Sequence, residues 1–480
     1  MRKSLHWLVL VALIFVLAAC NKEGAKPADT DPKPPEEQEQ PEEEEVVVDE
    51  LPENDFGGMT LTWAAPWQIV IDPDSNEFNE KWHARITELE EKWNFKLDLK
   101  EVGWDDYIGN YVRTTLAGEP VADIVYMLTN QFYPNLVSNG ILYPVSDLGI
   151  LDYNDPKWNK AGHEASEYKG SKYSLLINVE GSTRDAIWWN KTLFDELGLP
   201  DLYELYENGE WTWDKMVEIA EMATKDTNND GETDIYGVAI ENFPWKLIYA
   251  NGYESIIKTD SGIDIDMSDP KVTEALEFYQ KFAQNHGHTN MGWFDGASWD
   301  YRITNFRDGN IAMLSGEWWN ANNYFRDGMM QDEYGMVPFP TGPSHDQPVS
   351  YGYEARVDPM LATVKNPEDK VTIWNEITNF GDAEDWNNWT REIFEGAAND
   401  AETVEYAMML NSNTKTNLIR GFDTLNGIFN DFFGQLASGS TTVQTGLEAI
   451  NPQIQAALVD FKEHGVVLGY DEEPEEEEEE

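Results

Sequence analysis

The 480-residue chain carries 90 acidic against 33 basic side chains, a formal charge of −57, with one cysteine and 19 Trp, 21 Tyr and 20 Phe. Phosphate binding needs a basic face, so this balance argues against nucleic acid as a partner and disfavours polyanionic sugars. A single thiol has no disulfide partner within the chain.

The chain opens with Arg2 and Lys3, an apolar run from Leu5 to Val16, and then Leu17-Ala18-Ala19-Cys20. That order predicts a lipoprotein signal over 1–20, cleaved before Cys20, whose thiol then takes a lipid anchor. The run is shorter than the ~20 apolar residues of a membrane span. Residues 21–55 are rich in Pro, Glu, Asp and Lys, and predict a disordered, self-repelling stalk; residues 471–480 predict a disordered acidic tail. With the leader at +2, the stalk at −11 and the tail at −9, residues 56–470 retain −39, so the folded body is itself acidic. Roughly 415 residues at 100–200 per domain point to two or three domains.

Within the body, Met59-Thr60-Leu61-Thr62-Trp63 predicts a strand, Phe78 to Trp93 a helix, Phe95 to Val102 a strand, Tyr107 to Leu116 a helix and Ile124 to Met127 a further strand. This alternation is the pattern of a parallel, doubly wound α/β sheet, on which ligands sit beyond the carboxyl ends of strands. Further on, a helix starts at Thr212, another covers Val272 to Phe282, short strands fall at Ile311–Leu314 and Gly335–Pro338, and helices return at Val371–Phe380 and from Val443 through Phe461.

Several blocks, in order, carry a resemblance. They include Gly103-Trp104-Asp105-Asp106-Tyr107, Ala117-Gly118-Glu119-Pro120-Val121-Ala122-Asp123-Ile124-Val125, Trp189-Asn190-Lys191-Thr192-Leu193-Phe194, Phe306-Arg307-Asp308-Gly309-Asn310-Ile311-Ala312-Met313 and Gly439-Ser440-Thr441-Thr442. Together, behind a lipobox, they resemble the extracellular solute-binding lipoproteins of bacterial ABC importers, in the sugar-binding group that includes maltodextrin-binding proteins. The resemblance implies a two-lobe, periplasmic-binding-protein-like α/β fold that closes by a hinge around a ligand in the interlobe cleft. By analogy the chain crosses near Ser182–Trp189, Pro338–Pro348 and Phe380–Asp385. Lobe 1 is then 56–182 plus 345–382, and lobe 2 is 183–344 plus 383–470. It also implies a membrane-anchored, monomeric receptor on the extracytoplasmic face that delivers a neutral oligosaccharide to ABC permease subunits.

Sugars offer apolar C–H faces and a rim of hydroxyls, so aromatic rings, carboxylates, amides and Arg are the expected contacts. Trp63, Trp67 and Trp245 fall where loops should face the cleft, as do Trp318 and Trp319 in Ser315-Gly316-Glu317-Trp318-Trp319. The resemblance places Trp318 at a sugar-stacking position and Asn130 at a polar one. Glu317, Tyr351, Tyr353, Glu354 and Arg356 are further candidates, whereas Trp82, Trp93, Trp213 and Trp374 belong on helical apolar faces. Arg184 and Asp185 are candidates for a structural pair near the first crossing.

The run from Asp226 to Asp234 spaces the oxygen ligands Asp226, Asn228, Asp230 and Asp234 at positions 1, 3, 5 and 9, with the carbonyl of Glu232 at position 7 and Gly231 at position 6, which fits a structural calcium loop. Position 12 is Gly237, so the bidentate Glu of an EF-hand is missing, and an Asx-rich turn without metal is the alternative. Related solute-binding proteins resemble this loop and hold calcium there. No Gly-x-Ser-x-Gly, His-Glu-x-x-His or P-loop pattern occurs, and His286 and His288 suit a polar turn better than a metal pair, so no catalytic residue is expected. The alternatives are a surface glycoside hydrolase, whose carboxylate pair no acidic sequence excludes, and a non-transport carbohydrate sensor or adhesin.

Overall fold

The computed structural model describes residues 54–178, 185–259, 262–292, 296–352 and 354–464. The predicted leader, Cys20, nearly all of the stalk and the acidic tail lie outside the described residues, as do Arg184 and Tyr353. Asp55, assigned to the stalk, is already tied down, accepting from the Gly57 N–H at 2.9 Å and the Asn94 amide at 2.8 Å.

The first sheet begins with β1 (Met59–Ala65), followed by helix α1 (Glu77–Trp93) and β2 (Phe95–Glu101). Asn76 caps α1 by accepting from Asn79 N at 2.8 Å, and Asn94 ends it in the left-handed region, turning the chain into β2. Trp82, Leu89 and Trp93 form the buried stripe of α1. Helix α2 (Tyr107–Leu116) leads to β3 (Ile124–Val125), and β4 (Leu142–Tyr143) follows. The expected strand Ile124–Met127 is divided: Tyr126 still donates its N–H to the Ala64 carbonyl of β1 at 2.9 Å, but Met127–Leu128 pairs with Arg356–Val357.

The second sheet uses β5 (Ala186–Asn190), β6 (Tyr236–Ala239), β7 (Ile311–Gly316) and β8 (Tyr334–Val337). β5, β7 and β8 are buried at every position, as expected of strands covered on both faces. Between its strands lie α3 (Trp213–Ala223), capped by Thr212, then α4 (Phe243–Ala250) and α5 (Pro270–Asn285). Strand β9 (Met360–Leu361) returns to the first sheet, whose order is β2-β1-β3-β9-β4; the second runs β8-β5-β7-β6. Neither is wholly parallel, a departure from the sequence expectation. β1 is parallel to β2 and β3, and β6 to β7, but β9 and β5 run antiparallel to their neighbours.

The carboxyl-terminal third is more helical than the sequence pattern indicates, with α6 (Ala383–Glu395), α7 (Ala401–Asn411) and α8 (Asp423–Ser438) preceding the predicted last helix, α9 (Val443–His464). Helix α6 touches both halves. Trp386 and Trp389 pack on Phe78 of α1 at 5.6 and 5.3 Å, while Phe394 joins the core formed with β5 and β7.

Candidate functional site

Parallel neighbours β6 and β7 end on the same sheet edge, so the residues that follow them, Glu241-Asn242 and Glu317 to Asn320, are brought together there. Antiparallel β5 starts at that edge, with Ala186 opposite Gly316, which delivers Asp185 to it. These segments, with Trp299, Arg302, Tyr351, Glu354 and Arg420, enclose a cavity of about 490 Å³, within the usual size of a small-molecule site.

Each of its cations faces a carboxylate. Arg302 pairs with Glu241, Arg420 with Glu354, and Lys246 with Asp185 at 2.7 Å. Ser315 donates to the same Asp185 oxygen at 2.6 Å, and burial pushes the Asp185 carboxyl above its ordinary range. Glu317 accepts from the Trp319 indole N–H at 2.6 Å, which fixes that ring on the cavity wall. Trp299, 66 % exposed, lies 5.9 Å from Trp319 at an interplanar angle of 41°. The cavity thus combines an open aromatic pair with a polar lining whose cations are paired, suited to a polyhydroxylated neutral solute.

A second cavity of about 500 Å³ lies beyond the carboxyl end of β1, where Trp63, Trp67, Trp82, Asn178, Arg356 and Trp389 meet. Arg356 is buried and bidentate to Asp358 at 2.9 and 2.8 Å, with the rings of Tyr126, Trp67 and Trp63 5.3–5.8 Å from its guanidinium. Trp67 stacks on Trp104 at 5.7 Å, and Trp104 is 61 % exposed.

The candidate residues therefore divide. Glu317, Trp319, Tyr351 and Glu354 line the first cavity, and Trp63, Trp67 and Arg356 the second. Trp318 does not: it is 2 % exposed and packs on Trp188 at 5.3 Å and Phe394 at 4.7 Å, so the core role falls to Trp318 and the cavity-facing one to its neighbour Trp319. Adjacent residues at the start of a helical turn point to different sides; the Glu317–Trp319 bond and the Asn320 side chain, which accepts from Glu317 N at 2.9 Å, set which side is which. Trp245 lies on α4 rather than in a loop, buried against Phe429 and Phe433 and away from the first cavity. Asn130 is half-buried, with its amide oxygen turned inward, and lines neither cavity. Lys246, Trp299, Arg302, Asn320 and Arg420 escaped the sequence reading. The Ser298-Trp299-Asp300 step before a helix was the one legible hint; the cations meet the site only through tertiary packing.

In the 226–234 loop, Asp226 accepts from the backbone N–H groups of Asn229 (2.7 Å) and Gly231 (2.9 Å), and Gly231 takes φ 94°. Asp234 accepts from Thr227 N at 2.7 Å and Thr227 Oγ1 at 2.6 Å, so hydrogen bonding holds its carboxyl below the ordinary range. Among the described residues no group of three or more His, Cys, Asp or Glu is arranged to hold a metal ion. His286 and His288 both face Glu221, at 2.6 and 3.2 Å.

Residues 84–372 match the family described as bacterial extracellular solute-binding protein. The chain belongs to that family. Among solved structures, an ABC substrate-binding protein from Listeria monocytogenes in complex with cycloalternan is similar at TM-score 0.56 and 16 % identity, over 84 % of this chain and 99 % of that one. The cyclic α-maltosyl-1,6-maltose binding protein from Arthrobacter globiformis gives 0.59 and 15 % over 84 % and 99 %. An ABC transporter solute-binding protein from Thermotoga lettingae, bound with α-D-tagatose, gives 0.55 and 18 % over 84 % and 100 %. No curated protein matches the chain. At these identities the likeness defines the fold, which is the two-lobe, periplasmic-binding-protein-like α/β architecture. The family is one of extracellular binding proteins, and among the described residues no helix is long and apolar enough to cross a membrane.

Proposed function

We propose that this protein is the solute receptor of an ABC importer, anchored by lipid on Cys20 to the extracytoplasmic face of the membrane. It binds a neutral carbohydrate between two lobes and hands it, unaltered, to the permease. The lobes are 56–182 plus 345–382 and 183–344 plus 383–470, and the receptor acts as a monomer. The observation that carries this reading is the first cavity: Trp299 and Trp319 present ring surface over a lining whose Lys246, Arg302 and Arg420 are each already matched by a carboxylate. Among the described residues a free uronate or phosphate would find no unmatched cation there, whereas hydroxyls can join the existing hydrogen bonds. The second cavity, at the end of β1, supplies Trp63, Trp67 and Arg356 for a longer ligand.

The test is a thermal-shift screen of neutral and acidic oligosaccharides, since binding to the native state alone raises apparent stability. Trp319→Ala and Glu317→Gln should each abolish the shift given by a neutral glycan. A shift that survives both, or is confined to acidic glycans, rejects the assignment. Turnover of the glycan that is lost with one carboxylate substitution would favour a hydrolase instead.

The 226–234 loop is proposed to bind calcium through Asp226, Asn228, Asp230 and Glu232, with Asp234 released from Thr227; when bound, the ion would pin this exposed loop beside α3. Calorimetric titration with calcium should give a single event that is absent from Asp226→Asn/Asp230→Asn, and identical traces for the two proteins would dismiss it.

A further inference from the structure

A third cavity shares Asn242 with the first. It measures about 350 Å³ and is framed by the start of α4, the end of α5 and one face of α8. Its walls carry Phe243, Trp245, Tyr279, Phe282 and Phe433, with the amides of Asn242, Asn290 and Asn430, and among the described residues no charged side chain lines it. A chargeless cavity is unexpected on a body with a formal charge of −39. Asn290 accepts the Ile240 N–H at 2.9 Å, which fixes the orientation of its amide. Asn430 and Gly434, four apart on α8 and therefore on one face of it, are both exposed and form the mouth. A Cβ at Gly434 would meet no atom within 4 Å, so the missing side chain leaves open space rather than relieving a contact.

We propose that this cavity is a second binding site, for one neutral sugar ring, distinct from the site between the lobes. Tyr279, half-buried among the otherwise buried aromatic walls, takes the C–H face of a pyranose, and amides offer both donors and acceptors to its hydroxyls, while the volume falls in the range of small-ligand pockets. Trp245 and Phe433, 5.5 Å apart and nearly perpendicular, form the deep corner. The site does not depend on the role assigned to the first cavity, because the two share only Asn242.

The test titrates the full-length protein with D-glucose, D-galactose, maltose and maltotriose at millimolar concentration, reading saturation-transfer NMR and calorimetric stoichiometry. Gly434→Leu fills the mouth with a better helix former, so the variant should fold; its melting temperature checks this. Gly434→Leu should weaken one saccharide-binding event by about tenfold or more while leaving the event removed by Trp319→Ala intact. If Gly434→Leu misfolds, the exposed Asn430→Ala must weaken the same event. Wild-type affinity and stoichiometry for all four sugars in Gly434→Leu, or no saccharide bound by the wild type, overturns the proposal. Loss in Trp319→Ala alone leaves the first cavity and rejects this one; loss in Gly434→Leu alone does the reverse.

Discussion

Replacing Lys246 by methionine keeps the stem volume but removes the charge that faces Asp185. Asp185 is 1 % exposed; its Oδ1 takes the Lys246 ammonium at 2.7 Å and the Ser315 hydroxyl at 2.6 Å, and its Oδ2 has no partner. Breaking a buried pair from one side costs about 3–5 kcal/mol, because the remaining charge stays desolvated. Protonation of Asp185 limits that cost, at about 1.4 kcal/mol for each unit of pKa. Burial raises the folded pKa of Asp185 above its ordinary 3.8, so its contribution is fully present below that value and lost as pH rises toward the folded pKa. Without Lys246 the folded pKa rises further. Wild type and Lys246→Met should therefore lose stability in parallel up to the wild-type folded pKa of Asp185, and above it the deficit of Lys246→Met should grow by about 1.4 kcal/mol per pH unit and level off once Asp185 ionises in the variant. The double variant Asp185→Asn/Lys246→Met, with no charge left to strand, should recover most of the loss. Urea unfolding at acid and mildly alkaline pH measures all three. A Lys246→Met deficit under about 1 kcal/mol at the higher pH, or a double variant no more stable than the single, would refute the reasoning.

Trp318→Ala should cost about 3–5 kcal/mol of stability, the usual effect of emptying a buried aromatic site, whereas Trp319→Ala should cost under ~1 kcal/mol, as partly exposed positions do, and should remove glycan binding instead; equal unfolding midpoints for the two variants would reverse the assignment. His163 is 3 % exposed with Nε2 3.0 Å from the Leu176 carbonyl, and burial lowers its pKa from 6.5 to about 3. Its neutral ring must be protonated on unfolding in acid, so stability should fall as pH drops below 6.5, by about 1.4 kcal/mol at pH 5.5. His163→Phe should lack that component, and a parallel acid slope in both proteins would show that the loss comes from elsewhere.

Many strands and helices of the first half of the chain were legible because their periodicity and caps are local. Asn76 and Thr212 start helices, and Leu61, Trp63 and the stripe Trp82, Leu89, Trp93 repeat at strand and helix spacing. Of the carboxyl-terminal helices only α7 is short of contrast; α6, with Trp386, Trp389, Thr390 and Phe394 buried, and α8, with Leu425, Phe429, Phe432 and Leu436 buried, carry apolar stripes at helical spacing that the sequence reading passed over. Glu317, Trp319, Tyr351 and Glu354, expected at a ligand site from their chemistry, line the first cavity. Trp318 and Trp245 were misplaced because an indole in a sequence is equally suited to a core and to a ligand wall.

The sequence by itself determined the acidic character of the chain, the order of strands and helices in its first half and the resemblance that sets the two-lobe fold, since all of these are read from composition and neighbours along the chain. Only the tertiary structure decided which aromatic faces a cavity, that Lys246, Arg302 and Arg420 converge on one lining with matched carboxylates, and that an uncharged cavity shares Asn242 with that lining. The reason is physical: the charge pairs join segments 60 or more residues apart, as with Lys246 and Asp185, and no local pattern encodes them.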